Sequence, residues 1–133
     1  MKKNFDHALR VYWEDTDAGG IVFYANYLKF FERARTEWLR AFGFGQQRLR
    51  EETGLIFVVA STSVRYLQSA RLDDLLRVTV EPREIGRVSM TIFQQAWRDN
   101  ELLAEGEIRI GCVDALTLKT SRIPQAILTA LPQ

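Results

Sequence analysis

The sequence predicts an α+β domain, a five-stranded antiparallel sheet curled around one long central helix. Three observations predict it. An alternating apolar segment near the start gives way, at about residue 24, to apolar residues at helical spacing. Four strand-like runs then follow in succession, and the short turns between them imply antiparallel neighbours. One long apolar helix is available to cover the sheet, so the sheet has to bend around it.

Each element has its own signal. Leu9, Val11 and Trp13 alternate with more polar residues and read as a first strand ending at the acidic loop Glu14–Asp17. Tyr24, Tyr27, Leu28, Phe31, Ala34, Trp38, Leu39 and Phe42 recur at intervals of three and four, and Gly43 stands where a C-terminal cap belongs. Twenty such residues span about 30 Å. Phe23 and Phe30 widen the stripe, so this helix is expected to be buried on more than one side. A shorter helix is predicted over Gln46–Thr53 and stopped by Gly54.

The later strands are predicted at about 55–67, 75–85, 88–98 and 102–113, with Asp73-Asp74, Gly86 and Asp99-Asn100 marking the turns. Leu55–Ala60 is apolar on both faces, the pattern of a central strand covered on each side. Pro124 opens a last short helix running to Leu131. Nothing along residues 1–133 reads as a repeat, a low-complexity stretch or a linker, so a single domain is expected. Its exposed sheet edges and leftover apolar surface predict a homodimer or homotetramer.

Composition removes several function classes. Eighteen basic and 17 acidic residues leave a net charge of +1, spread along the chain, which is no nucleic-acid footprint. No apolar run approaches the roughly 20 residues of a membrane span. Met1–His7 lacks the apolar core of a secretion signal, which makes the cytoplasm the expected setting. Cys112 is the one cysteine and reads as a small buried strand residue. His7 is the one histidine and falls outside the acidic loop, so histidine-rich metal centres are excluded. No phosphate-binding glycine loop or dinucleotide fingerprint is present, and no cofactor is expected. Carboxylate chemistry is what remains.

The acidic loop is suited to it. Glu14, Asp15 and Asp17 crowd a short segment followed by Gly19 and Gly20, and the long helix starts just beyond. A carboxylate there can deliver or activate a nucleophile while free N–H groups of the first helical turn polarise a carbonyl. The same residues also suit an acidic cap with a glycine turn. Both readings stand on spacing alone.

Tyr12–Tyr27, followed by Phe31–Glu37, resembles the signature of hot-dog-fold acyl-CoA thioesterases. The subgroup is that of the 4-hydroxybenzoyl-CoA thioesterases and the Tol-Pal-associated acyl-CoA thioesterase. Ala70–Leu75 and Cys112–Asp114 look like later family segments, so the resemblance covers roughly residues 8–125. It implies a curved antiparallel sheet wrapped on one helix. It also implies Asp17 as the catalytic carboxylate, acting as nucleophile or as base, with the Tyr24 backbone N–H polarising the carbonyl oxygen. Gly19 and Gly20 would leave room for the acyl group, and Tyr27 would line its pocket. Arg87 is the one residue matching a basic triplet that holds the CoA phosphates in one lineage. The Tol-Pal-associated branch carries histidine where this chain has Tyr24, whereas the hydroxybenzoyl-CoA branch carries tyrosine.

The implied substrate is acyl-CoA, or an acyl group on acyl carrier protein. Asp15 and Glu14 are expected as capping or electrostatic neighbours of Asp17. Glu32–Arg35 and Arg33–Glu37 are spaced as helix ion pairs, although Arg35 borders the apolar stripe and suits a buried partner. The non-enzymatic alternative is an acyl-CoA or acyl-carrier-protein binding module. A dehydratase of the same fold would need a histidine on or near the central helix, and residues 24–43 contain none.

Overall fold

The computed structural model describes residues 5–131. Strand β1 (Phe5–Arg10) leads through a 3-10 turn at Trp13–Asp15 to helix α1 (Asn26–Ala41) and helix α2 (Gln46–Thr53). Strands β2 (Leu55–Tyr66), β3 (Leu75–Ile85), β4 (Ser89–Arg98) and β5 (Glu101–Asp114) follow, then the short helix α3 (Gln125–Ala130). The five strands form one sheet in the order β1-β3-β4-β5-β2, and every pairing is antiparallel. His7 is half-buried on β1 opposite Val78, away from the acidic loop.

Sequence period explains the layers. On β4, Met90, Ile92, Gln94 and Ala96 alternate inward with no appreciable exposure, and on β5 Ala104, Gly106, Ile108 and Ile110 do the same. They meet Tyr27, Phe30, Phe31, Ala34, Trp38 and Leu39 of α1 in one core. The helix ends where expected. Gly43, at φ 92°, donates to the Arg40 carbonyl, and the Phe44 N–H donates to Leu39, a Schellman closure that glycine accommodates.

One polar network crosses this core. Gln94 donates through Nε2 to the Phe31 carbonyl at 3.0 Å and accepts from Arg35 Nη1 at 3.0 Å. Burial pulls the Arg35 guanidinium below its ordinary value, and Glu32 opposes that shift. No side-chain polar atom buried among the described residues lacks a partner, so the network fixes α1 on the sheet without leaving an orphan.

Four expectations change. Helix α1 begins at Asn26 because the Phe23 carbonyl accepts the Asn26 N–H in a separate turn through Tyr24 and Ala25. Trp13 belongs to the 3-10 turn and not to the first strand, and its side chain is 79% exposed. Leu55–Ala60 lies on an edge strand, not a central one, leaving Val58 and Val59 exposed. The predicted helix pairs do not form. Arg35 turns to Gln94, Glu32 accepts from Thr36, Glu37 pairs with Arg40, and the Arg33 guanidinium lies over the Phe30 ring. The inward reach of Arg35 takes it off the solvated face that such pairs need.

Among the described glycines, the one with least room is Gly106, opposite Val64 on β2 and Gln94 on β4. A Cβ there would stand 2.7 Å from the Ser63 carbonyl oxygen, 3.2 Å from Val64 Cγ2 and 3.5 Å from Phe31 Cε2. Gly106→Ala is expected to lower unfolding free energy by about 1–3 kcal/mol through overpacking. Denaturant titration checks it, and an unchanged midpoint would contradict this account of the strand packing.

Candidate active site

The acidic loop folds into a small hairpin. Thr16 and Val22 form an antiparallel bridge, flanked by the Asp17 N–H donating to Ile21 and the Phe23 N–H donating to Asp15, each at 2.9 Å. Its tip is Asp17-Ala-Gly-Gly20. Gly20 takes φ 80° and donates to the Asp17 carbonyl, a conformation that favours glycine. The outgoing arm is pinned in turn, because Ile21 bridges to Arg71 and the Val22 N–H donates to Ala70.

Asp17 is exposed at that tip. Its Oδ1 accepts the Gly19 N–H at 2.8 Å, an Asx turn that orients the carboxylate. A Cβ on Gly19 would crowd Oδ1 at 3.2 Å, so the first glycine serves the carboxylate directly. Oδ2 accepts no hydrogen bond from a described residue and is free for a ligand.

Asp15 has a different position and a different task. It is 2% exposed, and its Oδ2 accepts the Tyr12 N–H at 2.9 Å while Oδ1 accepts Asn26 Nδ2 at 2.7 Å. The loop is thereby tied to the first residue of α1. The expectation of Asp15 as a capping neighbour agrees with this geometry. The Asn26 partner carried no sequence signal beyond its place at the helix start.

The helix start is otherwise uncapped. Ala25 occupies the N-cap and offers no side-chain hydrogen bond. The Tyr24 N–H, one position earlier, carries no hydrogen bond to any described residue. Unsatisfied donors at the positive end of a helix form a site for a carbonyl oxygen gaining negative charge. The hairpin places Asp17 and Tyr24 at the same end of α1.

The remaining candidates divide. Tyr27 is only 3% exposed, and its hydroxyl oxygen accepts the Ala70 N–H at 3.1 Å; burial pushes that hydroxyl above its ordinary value. Its edge lies against Tyr66, the last residue of β2, with centroids 5.5 Å apart, and Tyr66 also meets Tyr24 edge-on at 6.1 Å. Tyr66 was missed in the sequence because a strand-end tyrosine carries no periodic signal. Arg87 is exposed in the β3–β4 turn, where its carbonyl accepts the Ile123 N–H. Strand β3 starts beside the site, where Val11 and Asp73-Asp74 exchange backbone bonds, and Arg87 follows its far end. Eleven strand residues span on the order of 35 Å, so the fold of the chain does not bring Arg87 to Asp17. No group of three or more ionisable residues among those described is arranged to hold a metal.

Comparison with known proteins bears on the family and the fold. Residues 11–131 match the model of the thioesterase-like superfamily. The chain is 42% identical over 130 residues to the acyl-CoA thioesterase YbgC of Haemophilus influenzae, covering 98% of this chain and 96% of that protein. It is 34% identical over 125 residues to the acyl-CoA thioesterase YbgC of Helicobacter pylori, covering 87% and 91%. Among solved structures, a probable thioesterase from Bartonella henselae superposes with a TM-score of 0.87 at 30% identity, over 92% of this chain and 100% of that one. A hypothetical protein from Aquifex aeolicus superposes with a TM-score of 0.90 at 30% identity, over 96% and 99%. By sequence along nearly its whole length and by the sheet-wrapped helix that carries the acidic loop, this chain belongs to the thioesterase-like superfamily and has the hot-dog fold.

Proposed function

We propose that this chain is an acyl-CoA thioesterase that works with Asp17 and the Tyr24 backbone N–H and needs no metal or redox cofactor. The observation that carries the reading is the uncapped entrance of α1. Its free Tyr24 donor shares one end of the helix with an Asp17 carboxylate whose Oδ2 is unengaged.

The chemistry follows from those two groups. The thioester carbonyl oxygen accepts the Tyr24 N–H, and the helix dipole favours the charge that grows there. In one route Asp17 takes a proton from water as the water oxygen bonds to the carbonyl carbon. In the other, Asp17 itself attacks and the resulting acyl-carboxylate anhydride is then hydrolysed. Either way the C–S bond breaks, the sulfur leaves as CoA thiol after gaining a proton, and the acyl group leaves as a carboxylic acid. Gly19 and Gly20 present no side chain to the acyl group, and Tyr27 backs its wall. Acyl carrier protein offers the same thioester and is a second donor within this reading.

The working unit we propose is a homodimer, or a homotetramer built from it. Strand β2 is a twelve-residue edge strand that pairs only with β5 within the described chain, and Val58 and Val59 stand exposed on it. Arg87 is assigned to the CoA phosphates in this reading, reached across that interface. A cytoplasmic acyl-CoA pool is the proposed setting. Among the described residues no helix is long and apolar enough to cross a membrane.

Two measurements check this reading. Asp17→Asn should fold normally and lose about a thousandfold in kcat/KM for thioester hydrolysis, corresponding to about 4 kcal/mol of transition-state stabilisation. Thiol release measured with a trapping reagent reads it directly. A folded variant retaining most activity removes Asp17 from the mechanism, and ligand binding without turnover by the unaltered protein favours the binding module. Sedimentation equilibrium at micromolar concentration should give twice or four times the chain mass, and a monomer would overturn the β2 pairing.

A further inference from the structure

The segment between β2 and β3 takes no part in the carboxylate-and-amide chemistry, yet both halves of the site rest on it. On the Asp17 side, the Ile21 carbonyl accepts the Asp17 N–H at 2.9 Å, and Ile21 itself bridges to Arg71. On the Tyr24 side, the Ala70 carbonyl accepts the Val22 N–H at 2.9 Å, and the Ala70 N–H donates to the hydroxyl of Tyr27 at 3.1 Å. The end of β1 is tied to the same place. The Asp73 N–H donates to the Val11 carbonyl at 3.0 Å, and the Val11 N–H donates to the Asp74 carbonyl at 2.9 Å.

Asp74 closes this segment on itself. Its N–H donates to the Arg71 carbonyl at 3.1 Å, and its Oδ2 accepts the Arg71 N–H at 2.8 Å. The turn puts Asp73 at φ 72°, a left-handed conformation that persists in a residue with a side chain where the surrounding bonds hold it. The same Oδ2 accepts Arg98 Nη1 at 2.7 Å, and that nitrogen also donates to the Ser69 carbonyl at 3.2 Å. Arg98 is the last residue of β4, and Glu101 at the start of β5 accepts from its Nη2 at 3.2 Å. Through Arg98, both ends of residues 69–74 are fastened to the sheet. Burial raises the Asp74 carboxyl, but the bonds from Arg98 and the Arg71 N–H outweigh it and hold the group below its ordinary value.

Hydrogen bonds to a charged carboxylate are roughly twice as strong as neutral ones, so this turn is the firm point between the two halves of the site. We propose that Asp74 is a positioning residue for hydrolysis: acting through residues 69–74, it sets the Asp17 hairpin against the mouth of α1 without touching substrate. The inference rests on the thioesterase reading above and adds a supporting residue to that site. A carboxylate that only stabilised the fold would leave turnover by the folded protein unchanged.

Kinetics well below the melting temperature separate the two roles. Folded Asp74→Ala should lose about tenfold to a hundredfold in kcat for acyl-CoA hydrolysis, with KM moving by less than about threefold. Asp74→Asn keeps an oxygen that accepts both bonds and should stay within about threefold of the unaltered kcat. Adding Arg98→Met to Asp74→Ala should cost less than about twofold more, because both side chains act on one segment. Circular dichroism and melting temperatures are read for every variant. Where Asp74→Ala does not fold, Arg98→Met alone decides, with an expected loss of about threefold to tenfold in kcat. A folded Asp74→Ala or Arg98→Met variant with unaltered kcat overturns the role of Asp74. So does Asp74→Asn as slow as Asp74→Ala, or losses that multiply in the double variant. Each of these leaves the thioesterase reading intact, whereas hydrolysis of no acyl-CoA by the unaltered protein overturns both.

Discussion

The buried carboxylate of Asp15 is the constraint on which the site depends. Its two oxygens hold the Tyr12 N–H and the Asn26 side-chain amide, and its own carbonyl accepts the Phe23 N–H. Strand exit, hairpin base and helix start are thus joined at one residue that is almost wholly out of solvent. Hydrogen bonds to a charged group contribute about 1.5–3 kcal/mol each, well above a neutral pair. The larger effect is geometric, because an ångström of misplacement at a reaction centre costs about a hundredfold in rate.

That arrangement also explains an apparent defect. Asn26 stands at the head of α1 but spends its side chain on Asp15, and Ala25 has none to offer as a cap. A capped helix would gain about 1 kcal/mol. The Tyr24 N–H, just before the N-cap, likewise carries no hydrogen bond to a described residue. The loss is offset farther along the helix, where Gln94 grips the Phe31 carbonyl and Arg35 across the core, and where Gly106 lets β5 and β2 close tightly under the Phe31 ring. A site on such a fixed helix holds its geometry better than one carried by loops alone.

Much of this was legible in the sequence for physical reasons. The change from alternating to helical spacing near Tyr24, and the glycines at Gly43 and Gly54, placed both helices and their C-terminal ends, because burial periodicity and left-handed closure are local properties. The order of strands in the sheet is not local, and this is why Leu55–Ala60 read as a central strand and proved to be an edge. An apolar edge has the same composition as an apolar centre. The acidic loop announced itself through Asp17 and its glycines, and resemblance supplied the role proposed for the Tyr24 amide. Residues that act through distant partners gave no such notice: Asn26 on Asp15, Gln94 on the helix backbone, and Tyr66 against Tyr24 all depend on contacts between segments far apart in the chain.

The central claim is that a thioester carbonyl is held between the Asp17 carboxylate and the mouth of α1. A crystal structure with a non-hydrolysable CoA ketone analogue, in which a methylene replaces the reacting sulfur link, tests it most directly. The carbonyl oxygen is predicted to lie about 3 Å from the Tyr24 nitrogen, with Asp17 Oδ2 facing the carbonyl carbon directly or through one water. An analogue bound with its carbonyl away from both groups would contradict the account.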